Sequence, residues 1–112
     1  MNTMDYQQLQ HQFEEVKDFL LALGDDKRQL IIMALLQQES CHGLRVVDLT
    51  DLTNLSRPAV SHHLKILKQA NIVAIRAEGT KNYYYLSDMT RELIKLQSLS
   101  THILTIMAEK KG

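Results

Sequence analysis

The chain has 112 residues, no net formal charge and 45% apolar residues, which suits one domain with one modest core. It contains one Cys and therefore no internal disulfide, as expected for a protein of the reducing cytoplasm. No apolar run reaches about 18 residues and no basic-then-apolar leader opens the chain. The sequence therefore predicts neither a membrane span nor a signal peptide.

The charges are unevenly distributed along this neutral chain. Residues 1–53 hold 9 acidic and 4 basic residues, whereas residues 54–85 hold 5 basic residues and 1 acidic residue. Residues 86–112 hold 4 basic and 3 acidic residues. The middle segment is thus a local cationic region that suits a polyanionic partner such as nucleic acid.

The first half of the chain predicts three helices. Apolar residues recur every three or four positions over residues 4–22, which predicts a helix with an apolar seam, and Leu23-Gly24 ends that helix. Asp25 can cap a second helix, about 26–37, and residues 37–43 form a polar loop. A short helix follows over about 46–53, and Asn54 after it tolerates a left-handed turn. The seam of the first helix consists of Tyr6, Leu9, Phe13, Val16 and Leu20.

The helix predicted over residues 56–70, SRPAVSHHLKILKQA, has the clearest start in the chain. Ser56 is a strong N-cap residue, and Leu55 with Val60 can form a hydrophobic staple. Pro58 falls in the first turn, where its missing N–H costs no hydrogen bond. Together with the short helix before it, this segment predicts a helix-turn-helix over residues 46–70.

Beyond Ala70 the apolar period changes from that of a helix to that of a strand. Residues 72–77 and 81–86 predict two strands joined through Glu78-Gly79-Thr80, with Gly79 supplying the turn. Asp88 can cap a last helix, about 89–108, whose apolar stripe is Leu93, Leu96, Leu99, Ile103 and Met107. The predicted fold is mainly α with a small β-hairpin, a winged helix-turn-helix whose wing is residues 71–87.

The two terminal helices, residues 1–22 and 88–108, have long apolar seams around a small core. We expect residues 1–112 to form a single domain whose terminal helices pair with each other and with a second copy. Short helix-turn-helix domains usually bind two-fold sites, which favours a homodimer. The alternative is that both seams pack entirely within their own domain.

The two adjacent histidines of the fourth helix face different neighbours. A helical wheel places His62 with Arg57, Ser61 and Lys65 on a polar face, and it places His63 among aliphatic residues. We therefore expect His63 to be buried and hydrogen-bonded. Adjacent positions do not share a helix face, so a joint metal site of the two histidines is not expected.

The polar face of this helix has the chemistry to read DNA. An α-helix fits the major groove, and Arg57 can bond both acceptors of guanine. Ser61 and His62 can bond base edges, and Pro58 can touch a thymine methyl group. These four residues, Arg57, Pro58, Ser61 and His62, are the predicted base contacts.

Phosphate contacts hold a protein in position on DNA without reading its sequence. Exposed cations suit this role, and so does the free N-terminus of the fourth helix. Tyr83 and Tyr84 alternate faces on the second strand, so one of them can face the backbone, and we assign that role to Tyr83. The predicted phosphate contacts are Ser56, Lys65, Lys68, Arg76, Lys81 and Tyr83.

Residues 49–87, LTDLTNLSRPAVSHHLKILKQANIVAIRAEGTKNYYYLS, resemble the ArsR/SmtB family of bacterial winged-helix repressors. The core S-x-P-x-V-S-H-H-L-K-x-L and the wing E-G-x…Y-Y-x-L carry most of the similarity. Residues 22–36, ALGDDKRQLIIMALL, resemble the opening of the family. The resemblance implies a homodimer built from the first and last helices, which represses by binding a two-fold symmetric operator and is released by an inducer.

The resemblance also bears on individual contacts. It places the base contacts of the family at the four residues already chosen on the fourth helix. Ala77 and Thr80 occupy positions where relatives often carry arginine. Contact between wing and phosphate should therefore be weaker and depend on Arg76 and Lys81.

Many members of the family bind metal, but the usual ligands are missing. The thiolate site corresponds to LRVVDLTDL, which has no Cys, and the loop residue Cys41 beside His42 supplies one sulfur where several are needed. The site on the last helix lacks its first histidine at residues 88–90. We expect no metal and no other cofactor. A makeshift site of His102, Asp88 and His11 across the dimer stays open, and Cys41 is either a reactive thiol or, as we favour, a bystander.

Other function classes fit less well. The sequence contains no nucleophile-and-base motif, glycine-rich phosphate loop or clustered carboxylates, so we expect no enzyme. A protein-interaction module should have a more apolar docking face than the fourth helix offers. An RNA-binding role lacks an exposed stacking platform beyond the tyrosines. The alternatives that stay open are a metal-sensing repressor with a non-standard site and a winged-helix interaction module.

Overall fold

Five helices and one β-hairpin follow each other along residues 1–38 and 42–111, which the computed structural model describes. The elements are α1 (Thr3–Leu23), α2 (Asp26–Leu36), α3 (Val46–Thr53), α4 (Arg57–Gln69), β1 (Val73–Glu78), β2 (Lys81–Leu86) and α5 (Thr90–Lys111). The predicted order is confirmed, and so is the fold class, mainly α with a small β-hairpin. The ends of the elements differ from the prediction by a few residues at most.

The chain divides into two compact units. One unit consists of Met1–Asp18 and the chain from Thr90 onward, and the other is Phe19–Met89. The second unit contains α2, α3, α4 and the hairpin, and thus every residue predicted to contact DNA.

In the first unit, α1 and α5 run antiparallel. Asp5 and Gln12 of α1 both contact His102 of α5, whereas Glu15, further along α1, pairs with Lys95, which lies earlier in α5. Val16, Leu99 and Ile106 are buried. Other residues of the predicted seams remain about half exposed in the single chain, namely Tyr6 (54%), Phe13 (49%), Leu93 (49%) and Met107 (51%).

The second unit has a continuous aliphatic core. Ile31 of α2, Leu49 of α3 and Val60 and Leu67 of α4 are fully buried, and Ile72 at the entry to the hairpin joins them. Burial of a side chain of this size stabilises the folded state by about 1.5–3 kcal/mol. The helix-turn-helix thus packs against α2 through this core, and the opposite face of α4 is exposed to solvent.

Local sequence signals explain where the helices begin and end. The Asp25 carboxylate accepts hydrogen bonds from the backbone N–H groups of Lys27 (2.8 Å) and Arg28 (3.1 Å), as predicted for an N-cap. The Arg28 N–H lowers the pKa of Asp25, and the Lys27 N–H adds to this effect against the opposing effect of desolvation. Asn54 ends α3 in the left-handed conformation, as predicted, and Asn71 beyond α4 adopts it too.

The hairpin pairs residues 73–78 with residues 81–86 in antiparallel register, from Val73 opposite Leu86 to Glu78 opposite Lys81. Gly79, with φ of 61°, takes the first position of the two-residue turn, where a positive φ is required. The first strand begins one residue later than predicted and includes Glu78.

A further contact on the outer edge of the hairpin was not predicted. Leu44 and Tyr84 exchange two backbone hydrogen bonds of 2.8 Å, so β2 lies between β1 and the residue that precedes the N-cap of α3. Gly43 makes this approach possible. It has φ of 81°, and a Cβ on it would lie 2.5 Å from the carbonyl oxygen of Tyr84.

Candidate nucleic-acid interface

The predicted division of α4 into two faces is confirmed. Ser56 caps the helix by accepting a hydrogen bond from the Ala59 N–H at 3.2 Å, and Pro58 lies in the first turn. The buried face consists of Val60, Leu64 and Leu67. The four residues predicted to contact bases are all exposed and open along one side of the helix: Arg57, Pro58, Ser61 and His62.

His63 is hydrogen-bonded, as predicted, but the prediction that it is buried is wrong. The ring is half-buried because it shares the partly covered margin of the apolar face with Ala59 and Ile66. Its Nδ1 lies 3.3 Å from Nη1 of Arg28. The guanidinium can only donate, so Nδ1 accepts and the ring is neutral. Burial lowers the pKa of His63, although the nearby Asp25 carboxylate acts in the opposite direction.

Arg28 is a structural centre that the sequence reasoning missed. Its Nε donates to the carbonyl oxygen of Ala22 at 2.8 Å, and its Nη2 donates to that of Leu21 at 3.0 Å. Asp25 lies at 4.0 Å and His63 at 3.3 Å from Nη1. One side chain thus joins the end of α1, the start of α2 and α4. The only available signal was the arginine in the opening motif, ALGDDKRQL.

The residues predicted to contact phosphate occupy two kinds of environment. Ser56, Lys65, Lys68 and Lys81 are exposed. Arg76 is engaged, since its Nη2 donates to the carbonyl oxygen of His42 at 2.9 Å and its Nε lies 3.1 Å from the Glu78 carboxylate. Its guanidinium also covers the ring of Tyr83 at 5.1 Å from the centroid.

This arrangement gives Arg76 a structural role whatever it does on DNA. Arg76 joins the wing to the segment that precedes α3. Its guanidinium covers part of the Tyr83 ring, which lies on the same face of the hairpin. Tyr84 lies on the opposite face of the hairpin, and its backbone N–H and C=O groups form the bridge to Leu44. The two tyrosines thus alternate as expected, and Tyr83 is the one beside the cationic residue.

The residues considered for a metal site have other partners. Nδ1 of His102 lies 2.8 Å from Oε1 of Gln12, and Nε2 lies 3.2 Å from Oδ1 of Asp5. The N–H of Asn2 lowers the pKa of Asp5, and His102 adds to this effect. His11 pairs with Glu15 at 3.2 Å. Within residues 1–38 and 42–111, no group of three or more His, Cys, Asp or Glu side chains is placed to hold a metal ion.

Two further expectations concern parts of the chain rather than the interface. Cys41, interpreted as a bystander thiol, lies outside the described residues. Among the helices that the structure describes, none combines the length and apolar character needed to cross a bilayer.

Comparison with known proteins identifies the family. The family model for the bacterial regulatory protein, arsR family, matches residues 25–74. The uncharacterized HTH-type transcriptional regulator MJ1325 of Methanocaldococcus jannaschii is 39% identical over 85 residues, which are 75% of this chain and 92% of that protein. The chain belongs to the ArsR family. Another relative is the arsenical resistance operon repressor of Bacillus subtilis, 35% identical over 92 residues that cover 81% of this chain and 79% of that protein.

Solved structures share the fold of this ArsR-family chain. Reduced HlyU from Vibrio cholerae superposes with a TM-score of 0.65 at 26% identity, covering 81% of this chain and 92% of that one. NolR from Sinorhizobium fredii superposes with a TM-score of 0.61 at 31% identity, covering 82% and 88%. The predicted winged helix-turn-helix is therefore confirmed.

Membership of the ArsR family also decides the function class. The chain is a DNA-binding transcriptional regulator whose helix-turn-helix consists of α3 and α4 and whose wing is the β1–β2 hairpin. The predicted class, a DNA-binding repressor and not an enzyme, is confirmed at the level of the family.

Proposed function

We propose that the chain represses transcription in the cytoplasm as a homodimer, which binds a two-fold symmetric operator and is released by an inducer. The observation that carries the proposal is the exposed face of α4, where an arginine, a serine and a histidine stand together on a helix whose other side is buried. Such a helix fits the major groove and offers donors to base edges.

The proposed base contacts are Arg57, Pro58, Ser61 and His62, and we assign them different weights. Arg57 stands at the first position of α4, from which a long side chain can reach both acceptors of one guanine. Ser61 and His62 lie one turn further along the same face. Pro58 has no N–H and contributes only apolar contact, which suits a thymine methyl group.

The proposed phosphate contacts surround this face. Lys65 and Lys68 continue α4 toward its C-terminus, and Lys81 opens β2 at the tip of the wing. Ser56 keeps its hydroxyl proton available, because its oxygen is the acceptor in the cap. Arg76 and Tyr83 complete the set as a pair, and their mutual contact makes them a fixed edge of the surface.

The half-exposed apolar residues of α1 and α5 support the homodimer. Isolated exposed apolar side chains are normal on a monomer, but here several recur along two helices that pack against each other, which favours an interface. We propose that residues 1–22 and 88–108 form this interface and that residues 1–112 act as one functional domain. The two recognition helices would then face successive major grooves of the operator.

We propose that the inducer is not a thiolate-bound metal. The α3 helix, VVDLTDLT, contains no Cys. Metals that prefer sulfur need several thiolates at close spacing.

The decisive experiment selects bound duplexes from a random pool and then compares variants on the selected operator. We expect Arg57→Ala to lose roughly 10- to 100-fold or more in affinity for the operator, since a bidentate arginine–guanine pair is worth about 1–3 kcal/mol. Affinity for an unrelated duplex should change much less. Fluorescence anisotropy at fixed salt measures both.

The matched control is Lys27→Ala, which removes an exposed cation from α2, outside both the proposed DNA-binding surface and the proposed dimer interface. It should bind the operator as the parent does, and size-exclusion chromatography should show that both variants keep the parental assembly. If Arg57→Ala kept the affinity and selectivity of the parent, the assignment of the recognition face would be wrong.

A further inference from the structure

A cationic cleft lies between the start of α3, the start of α4 and the tip of the wing. Its volume is about 160 Å³. Pockets for drug-sized ligands are typically about 300–1,000 Å³, so this one suits a single small group. The polar residues that line the cleft are Arg45, Arg57, Thr80, Lys81, Asn82 and Tyr84.

The residues that line the cleft carry three positive charges and no negative charge. Among the residues that the structure describes, no carboxylate lies within 4.0 Å of the charged groups of Arg45, Arg57 or Lys81, and none lines the cleft. Arg28 and Arg76, which belong to the same unit but do not line the cleft, differ because each is held by several partners. Three cations around one concavity repel each other and focus a positive potential into it.

Backbone geometry adds to this potential. Arg45 is the N-cap of α3, and Val46 and Val47 at its first turn also line the cleft. Arg57 is the first residue of α4, so two helices begin at the rim. The helix dipole is positive at this end. The Asp48 carboxylate, which accepts a hydrogen bond from the Arg45 N–H at 2.9 Å, offsets part of this potential at α3.

We propose that this cleft binds a phosphate group, and that in the repressor–operator complex the group is a phosphate of the DNA backbone. The proposal rests on the proposed function and adds Arg45, which the sequence reasoning did not select, to the DNA contacts. The position of the cleft between recognition helix and wing is where a strand of the operator would pass. Arg45 and Lys81 hold the phosphate from the two sides, and Thr80 and Asn82 offer neutral donors.

The cleft also raises the question of whether Arg57 contacts a phosphate or a base. This side chain borders both the cleft and the exposed face of α4. A contact with phosphate would lower affinity for all duplexes when lost, whereas a contact with guanine would lower it for the operator alone. We assign the phosphate to Arg45 and Lys81, which leaves Arg57 free for the base.

The first test compares Arg45→Ala with the parent on the selected operator and on an unrelated duplex over a range of salt concentrations. We expect affinity to fall several-fold and by a similar factor on both duplexes. The slope of log K against log [salt] should be smaller by about 1 for each bound subunit. Arg45→Lys should recover most of the affinity, because a point charge still pairs with a phosphate.

Lys27→Ala is again the matched control and should keep the parental affinity and salt slope. Since the Arg45 side chain forms no ion pair among the described residues, we expect thermal denaturation to show that Arg45→Ala folds and unfolds at a temperature close to that of the parent. An Arg45→Ala protein with the parental affinity and salt slope on both duplexes overturns the proposal.

The second test uses inorganic phosphate and DNA-free protein, so that the cleft is examined apart from the operator. We expect phosphate to raise the melting temperature of the parent more than chloride at equal ionic strength, and to lose this effect in Arg45→Ala. If phosphate stabilises the protein through Arg45 while no duplex binds, the phosphate site stands, its source is a free phosphate compound and the proposed function fails. If phosphate gives no Arg45-dependent shift and the DNA data are unchanged by the variant, the site itself is refuted.

Discussion

At the scale of single residues, the contact between Arg28 and His63 decides how α4 is held. The sequence placed His63 among aliphatic residues, because a helical wheel gives the direction of a side chain. A wheel does not give the depth of burial, and it does not show that the neighbouring helix α2 places the polar side chain of Arg28 against His63. The partner of His63 is 35 positions away in the chain, so no local pattern could have named it.

This contact predicts a pH dependence of stability. The pKa of His63 is lowered in the folded state, so the unfolded chain binds the proton more readily. The stabilisation is therefore complete above the unfolded pKa of about 6.5 and is lost as the pH falls from there through the folded pKa. We expect the free energy of unfolding in urea to fall between pH 7.5 and pH 5 in the parent, and to fall less in His63→Gln.

His62→Gln is the matched control, because the neighbouring ring is exposed. Its free energy of unfolding should follow pH as that of the parent does. Equal pH dependence in the parent and in His63→Gln would show that the Arg28–His63 contact does not require a neutral ring.

At the scale of elements, the sequence was sufficient where local chemistry determines structure. The N-caps at Asp25 and Ser56 and the left-handed Asn54 were predicted from residue type and position, and each is present. The bridge between Leu44 and Tyr84 was not predicted. It joins residues 40 positions apart by backbone atoms alone, and backbone pairing carries no side-chain signature.

The bridge makes Gly43 a residue on which the fold depends. A methyl group on it would meet the Tyr84 carbonyl, and its positive φ is unfavourable for any side chain. We expect Gly43→Ala to destabilise the protein by about 2–4 kcal/mol, measured as the shift in urea unfolding, since the steric overlap adds to the conformational strain.

Gly79→Ala separates the two causes. It has a similar positive φ, but a Cβ there has nothing within 4 Å. Its loss should be limited to the conformational strain, about 1–2 kcal/mol. Equal losses in the two variants would mean that the approach of Gly43 to Tyr84 does not matter for stability.

At the scale of the whole molecule, the terminal helices carry apolar surface that one chain leaves open. A shallow groove on α5 is lined by Leu93, Ile94 and Leu96 together with polar neighbours. Periodicity identified these helices and their stripes. The sequence could not show which stripe residues are buried within one chain and which are buried only at an interface, because both kinds of contact use apolar residues at the same spacing.

The prediction at this scale concerns the assembly of two chains into a dimer. Leu93→Glu should place a charge in the proposed interface and shift the protein from dimer to monomer at micromolar concentration, measured by analytical ultracentrifugation. Operator affinity should fall with it, because one recognition helix then binds alone.

Leu36→Glu is the control, since Leu36 ends α2 and is exposed to 63% outside the terminal helices. It should remain dimeric and bind the operator. A dimeric Leu93→Glu protein with parental affinity would place the interface elsewhere.

The bridge from Leu44 to the outer edge of β2 has one more consequence, which concerns how the protein chooses its site. Because the outer edge of β2 is bridged to Leu44 and the tip is a two-residue turn, the distance between the wing and the recognition helix is set before any DNA binds. A preset reach lowers the ordering cost of association. A wing at a fixed distance also favours operators whose groove width matches that distance. Base pairs next to the wing can therefore affect affinity through the shape of the duplex, without a direct contact.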